Sequence, residues 1–136
     1  MLKIHAFDPA SIKPNRKLLW IGGSGRGKTQ HMLYTLSYVA PSIDMYLLFC
    51  PTETTCNLFR RRGMIPASFI YSNIDLKVIE KALSTQREMR ERGKKRSLLL
   101  IFDDVAFDKS AWRSDVIRDL LYNQRHIGIT TALSVQ

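Results

Sequence analysis

Residues 17–29 read KLLWIGGSGRGKT. The first five are apolar after Lys17 and end at a glycine, the pattern of a short buried strand. Four of the seven glycines in the chain follow between Gly22 and Gly27. From Lys28 the periodicity turns helical, with Met32, Leu33 and Leu36 on one face. Gly22, Gly23, Ser24, Gly25, Arg26, Gly27, Lys28 and Thr29 together match G-x-x-x-x-G-K-[ST], the phosphate cradle. Glycines let the turn adopt positive φ, so successive backbone N–H groups point inward at phosphate oxygens. The helix that follows adds the positive end of its dipole. Lys28 is placed to reach the β- and γ-phosphates, and the Thr29 hydroxyl to ligate Mg²⁺. A random chain of this length shows the pattern roughly once in two hundred. The strand before it and the helix after it supply the context the motif requires.

Working outward, Pro41 closes the first helix. Residues 45–50 (MYLLFC) form a second apolar run, closed by Pro51. A short helix is expected over 58–62 and a short strand over 69–71. Asp75 is a candidate N-cap for a helix over 76–92, with Leu76, Ile79, Leu83 and Gln86 at helical spacing. Arg87–Glu91 and Glu88–Arg92 are opposite-charge pairs four apart, and Gly93 is the expected stop. Residues 98–102 (LLLIF) make a third strand. Trp112, Val116, Ile117, Leu120 and Leu121 form one amphipathic face, and 127–135 (IGITTALSV) a fourth strand. Strands alternating with helices, and strands apolar along their length, predict a parallel sheet covered on both faces. The expectation is one α/β domain over 1–136, a three-layer P-loop NTPase sandwich.

The third strand delivers Asp103 and Asp104 to its carboxyl end, the edge at which such a fold holds phosphates. A carboxylate there can hold Mg²⁺ and its neighbour can orient the attacking water. Asp103 is assigned to the metal and Asp104 to the water. Gln136, ending the fourth strand, falls at the same edge, in reach of the γ-phosphate or the water. Arg125 precedes that strand and lies toward the opposite edge. It is favoured as an arginine finger acting on a neighbouring subunit, with Arg26 in the loop the competing candidate in cis.

Composition is that of a folded protein: 45% hydrophobic and 24% charged among 136 residues. No apolar run approaches the twenty or so residues that span a bilayer, and no membrane association is expected. The first residues show no signal-peptide pattern. Cys50 and Cys56 fit neither a disulfide framework nor a zinc spacing, which suits a reducing compartment. Twenty-one basic against twelve acidic residues leave +9. Such a surplus points to a polyanionic partner, with solubility alone as the bland alternative. Two basic clusters stand out. Arg60, Arg61 and Arg62 follow the second strand near the nucleotide edge, and Lys94, Lys95 and Arg96 precede the third at the far edge. The first is preferred for DNA, since hydrolysis must couple to whatever grips it.

Three blocks together resemble the poxvirus-type genome-packaging ATPases of large DNA viruses and virophages, within the FtsK–HerA superfamily. They are GGSGRGKT at 22–29, LLLIFDD at 98–104, and Arg125-His126, Ile129-Thr130, then five residues and Gln136. The last is similar to that family's RH-x-x-I-S-x-x-x-x-x-Q block, with Thr130 where serine is usual. The resemblance implies a RecA/ASCE-like sandwich of about four to five strands and an ATP- and Mg²⁺-dependent motor. It further implies a homo-oligomeric ring driving double-stranded DNA into a capsid, in the cytoplasm of an infected cell or in the virion, with capsid proteins as partners. Lys28, Thr29, Asp103, Asp104 and Gln136 match its nucleotide-site positions. Such folds usually carry a further strand beside the phosphate-loop strand. The expectation here is a sheet lacking C-terminal strand(s), with predicted strands in the order first, fourth, third, second and the loop strand at an edge. A nucleotide-dependent assembly module and a small-molecule kinase are the alternatives.

Overall fold

The computed structural model describes residues 1–62 and 64–136. In chain order it runs β1 (Lys17–Ile21), α1 (Lys28–Val39), β2 (Met45–Phe49), α2 (Glu53–Arg61) and β3 (Ile70–Tyr71). It continues with α3 (Leu76–Glu91), β4 (Leu98–Asp103), α4 (Lys109–Trp112), α5 (Asp115–Asn123) and β5 (Ile129–Val135). The five strands form one sheet in the order β1-β5-β4-β2-β3, and every pairing is parallel. The expected order stands, with β3 added beyond β2.

All six residues of β4 are buried, because helices cover both of its faces. Side chains alternate across a strand, so Leu99 and Ile101 meet Met32, Leu33, Leu36 and Phe59 from α1 and α2. Leu98, Leu100 and Phe102 meet Ile79, Leu83, Ile117 and Leu120 from α3 and α5. β1 corrects an expectation. Its run reads as a buried strand, yet Leu19 is 56% and Ile21 73% exposed. Only Leu18 and Trp20 turn inward to the core. β1 pairs with β5 alone among the described residues, and no helix packs on its other face. Trp20 Nε1 donates to His31 Nδ1 at 2.8 Å and ties β1 to α1.

Local chemistry explains the helix ends. Asp75 Oδ1 accepts from the amides of Lys77 and Val78 at the start of α3. At its end Gly93 takes φ 73°, with Lys94 N donating to Met89 O (2.9 Å) and Gly93 N to Arg90 O (3.0 Å), the Schellman arrangement. Glu88 pairs with Arg92 at 2.7 Å as expected, but Arg87 turns from Glu91 to Asp119, 2.6 Å away on α5. That contact and Asn123 hold the Asp119 carboxyl below the usual carboxylate range. The single helical face expected around Trp112–Leu121 is split into two helices. Asp108 caps α4, and Ser114 Oγ accepts from Ile117 N to start α5. α2 begins at Glu53, earlier than expected, because Cys56 and Phe59 are both drawn into the core. β5 starts two residues late, after Gly128 at φ 77°.

Gln86, buried in the face of α3, donates from Nε2 to the carbonyls of Arg96 and Ile127, both at 3.0 Å. It clamps the helix to the amino-terminal edge of β4 and β5. Replacing it by leucine leaves those buried carbonyls without a donor. Gln86→Leu is expected to lower stability by about 2 kcal/mol, read as an earlier urea midpoint at unchanged m-value. An unshifted midpoint would contradict the clamp.

Candidate active site

Parallel pairing brings the carboxyl ends of β1, β4 and β5 to one edge. Asp103 stands opposite Ser134 in the β4–β5 register, and Gly22 N continues the β1–β5 ladder by donating to Val135 O at 3.2 Å. The loop after β1 climbs over this edge, with Gly25 at φ 68° and Gly27 at φ 80°. These are left-handed backbone states that glycine adopts without strain. Gly27 is the N-cap of α1, so the amide end of α1 faces the loop.

A cleft of about 340 Å³ opens there, walled by the loop, Thr29, Asp103, Asp104, Ser134 and Gln136. Lys28 Nζ donates to the carbonyls of Gly22 (2.5 Å) and Gly23 (2.9 Å), lying along the loop. Asp103 is buried, and Ser134 Oγ donates to its Oδ1. Its Oδ2 lies 3.5 Å from Thr29 Oγ1. That is long for an O–H···O bond, and both groups line the cleft. No group of three or more His, Cys, Asp or Glu side chains gathers as a metal site among the described residues. One hydroxyl and one carboxylate beside a phosphate cradle fit Mg²⁺, which keeps several waters and binds through substrate phosphates.

Asp104 leaves the strand in the left-handed region, at φ 55°. This turns its carboxylate into the cleft, where Oδ1 accepts from Gln136 Nε2 at 3.2 Å. A non-glycine residue in that conformation costs about 1 kcal/mol, and such outliers gather at functional sites. Lys28, Thr29, Asp103, Asp104 and Gln136 therefore converge, with Gly22–Gly27 spelling the loop between them. Arg26 sits on the loop at the cleft wall. Arg125 does not join them. It lines a different cleft with Arg16 and Lys17, at the amino-terminal edge, about 20 Å away along a seven-residue strand.

Sequence reasoning missed four residues at or beside the cleft. Ser134 is legible only through the β4–β5 register. Thr52 and Thr55, at the start of α2, line the cleft because β2 lies two strands from β5. Cys50 lies 3.8 Å from Asp103 Oδ2. Burial, more than its charged neighbours, pushes its thiol up to about 12, so it stays protonated and unreactive.

No protein-family model matches the chain. In sequence it is 27% identical over 143 residues to uncharacterized protein 075L of Invertebrate iridescent virus 6, which takes in 98% of this chain and 55% of that protein. The chain thus spans about half the length of this relative. In structure it is similar to EssC (ATPases 2 and 3) from Geobacillus thermodenitrificans, at TM-score 0.52 and 13% identity, over 90% of this chain and 28% of that one. It is similar also to the pCW3 conjugation coupling protein TcpA, in its monomer form with ATPγS. There the TM-score is 0.50 and the identity 15%, over 90% of this chain and 43% of that one. At such identities the likeness concerns the fold: the chain has the α/β fold of P-loop ATPases, with a five-stranded all-parallel sheet.

The raised Cys50 pKa carries a sign. An unfolded thiol titrates at its ordinary 9.0, the folded one near 12. The stability it contributes is complete below pH 9.0 and is lost as pH climbs toward 12. Urea unfolding at pH 8 and pH 10.5 is expected to show a larger loss for the wild type than for Cys50→Ala. Equal losses would contradict the assignment.

Proposed function

We propose that the chain is an ATP-hydrolysing domain of FtsK–HerA type that works on double-stranded DNA in viral genome packaging. The observation that carries the enzymatic part is the convergence of Lys28, Thr29, Asp103, Asp104 and Gln136 on one cleft beside the glycine-rich loop. The likeness to EssC and to TcpA with ATPγS supports nucleotide use. The viral relative and the three sequence blocks support the packaging role.

In this reading the loop amides and Lys28 hold the phosphate tail of ATP. Thr29 and Asp103 would hold Mg²⁺, which when bound would offset negative charge on the phosphate tail. Ser134 fixes the orientation of Asp103. Asp104 accepts a hydrogen bond from the attacking water and takes its proton as the water oxygen bonds to the γ-phosphorus. The bond from that phosphorus to the β–γ bridging oxygen breaks, and ADP and phosphate leave. Gln136, hydrogen-bonded to Asp104, senses whether the γ-phosphate is present. Arg26 is the candidate to stabilise the transferring phosphoryl group in cis. Arg125 lies too far from its own subunit's nucleotide, and a role at the phosphates is in trans, across a homo-oligomeric ring. The setting is the infected cell or the virion, with capsid proteins as further partners. No helix among the described residues is long and apolar enough to cross a membrane.

A second reading has one observation in its favour. The uncovered edge of β1, with Leu19 and Ile21 exposed, suits a module that binds ATP to switch assembly without DNA-driven turnover. DNA-stimulated phosphate release separates the two.

Lys28→Ala is expected to abolish ATP binding. Asp104→Asn is expected to bind ATP normally and lose about 100-fold or more in phosphate release. Turnover surviving in Asp104→Asn would remove that residue from the water. Mixing inactive Lys28→Ala with inactive Arg125→Ala protein is expected to restore part of the activity, and no recovery at any ratio would exclude the trans finger.

A further inference from the structure

The end of the sheet opposite the nucleotide gathers cations from three separated segments. Lys17 pairs with Thr131, and Leu98 with Ile129, so the residues preceding these strands share one edge. Asn15 forms a common wall between two clefts there. One, of about 270 Å³, is lined by Arg16, Lys17 and Arg125. The other, of about 350 Å³, is lined by Arg90, Lys95 and Arg96. No carboxylate is among the described residues lining either cleft. Asp44, near Arg96, is engaged by Ser97, whose amide and hydroxyl donate to it at 2.8 and 3.0 Å and hold its carboxyl below the usual range.

Arg90 is the informative member. Its guanidinium lies across Gly128, where a Cβ would collide with it and would approach Arg96 O at 2.8 Å. Its Nε is buried with no hydrogen-bond partner, and so is Asn15 Oδ1. Turning the Asn15 amide over presents an NH2 donor in place of that oxygen. The carbonyl end of α3 favours cations nearby. That accounts for positive charge, not for a desolvated guanidinium nitrogen left unpaired, which an oxyanion would satisfy. The other basic cluster differs. Arg60 already pairs with Glu53 at 3.0 Å and with Asn57 at 2.8 Å.

We propose that this basic end of the sheet is the surface that contacts the phosphate backbone of duplex DNA, with Arg90, Lys95 and Arg96 at its centre. It reverses the preference for the Arg60 cluster, and it rests on the DNA-directed reading above. Tyr122 and His126 are the exposed aromatic rings lining these clefts among the described residues, and both stand in one cleft, away from Arg90, Lys95 and Arg96 in the other. Gripping single strands takes successive rings along the groove to stack bases. Coupling does not require the DNA to sit beside the nucleotide. β4 runs from Leu98 at this edge to Asp103 at the other, and β5 from Ile129 to the residue before Gln136.

The test is binding of the 136-residue chain to a fluorescent blunt duplex, read by anisotropy across a salt series. The variants are Lys95→Ala/Arg96→Ala, the same with Arg90→Ala added, and Arg60→Ala/Arg61→Ala/Arg62→Ala. The triple change at the basic end is expected to weaken binding tenfold or more and to flatten the slope of log K against log salt by about 2.7, at roughly 0.9 per phosphate contact. The exposed Lys95/Arg96 pair alone is expected to account for about two-thirds of that slope change, which guards against a fold defect from Arg90→Ala. ATP affinity and DNA-independent phosphate release should match the wild type, and the Arg60 variant should bind within about threefold of it. Wild-type affinity in the triple variant, or a loss confined to the Arg60 variant, would overturn the surface. Equal binding of polyglutamate would overturn the nucleic acid as its ligand. DNA binding that depends on these residues in a chain without ATP turnover would uphold the surface and sink the motor reading. Turnover without any duplex binding would sink both the surface and the packaging role.

Discussion

The Asp103 carboxylate sits where β5 and the start of α1 meet. Ser134 on β5 donates to one oxygen, and Thr29 at the start of α1 stands 3.5 Å from the other. Neither contact exists unless β4 lies beside β5 in the observed parallel register. Side chains alternate along a strand, so a slip of one residue would turn Asp103 away and bring Asp104 or Phe102 into its place. The buried apolar residues of β4 prevent that slip, since both of its faces are committed to helices. The core therefore sets the geometry of the cleft as directly as the glycine loop does.

Beyond Asp103 the chain leaves the ladder abruptly. Asp104 adopts a left-handed backbone, and Gln136 reaches it from the end of the neighbouring strand. Two carboxylates adjacent in sequence thus receive different environments. One is buried and fixed by the Ser134 hydroxyl, and the other is exposed and held by a single amide. That asymmetry is what the proposed division of labour, a metal-holding acid beside a water-orienting one, needs.

What the sequence showed and what it hid divide along one physical line. The loop at Gly22–Gly27, the apolar run of β4, the Asp75 cap and the Gly93 stop are local signals, decided by backbone conformation or by burial on both faces. They were legible. The exposure of Leu19 and Ile21 was not, because burial of a strand depends on which neighbours it acquires, and among the described residues β1 pairs with β5 alone. Arg87 offered Glu91 within its own helix and took Asp119 on the neighbouring helix, a choice set by the packing of α3 on α5. Ser134 became a site residue through register alone. The break between α4 and α5 was readable in principle, since Ser114 before Asp115 is an N-cap signal, but the apolar face masked it.

The two ends of the sheet differ in character: amides, hydroxyls and carboxylates at one, a cluster of cations at the other, joined by β4 and β5. The central claim is that the glycine loop and the Asp103–Asp104 pair face one nucleotide. Backbone-amide NMR of the labelled chain titrated with Mg²⁺ and ATPγS tests it most directly. The account predicts shifts concentrated at Gly23–Thr29 and at Asp103, Asp104 and Gln136. Shifts confined to the larger cleft between α3 and α5, around Arg87 and Asp119, or shifts in the loop with Asp103 and Asp104 unmoved, would contradict it.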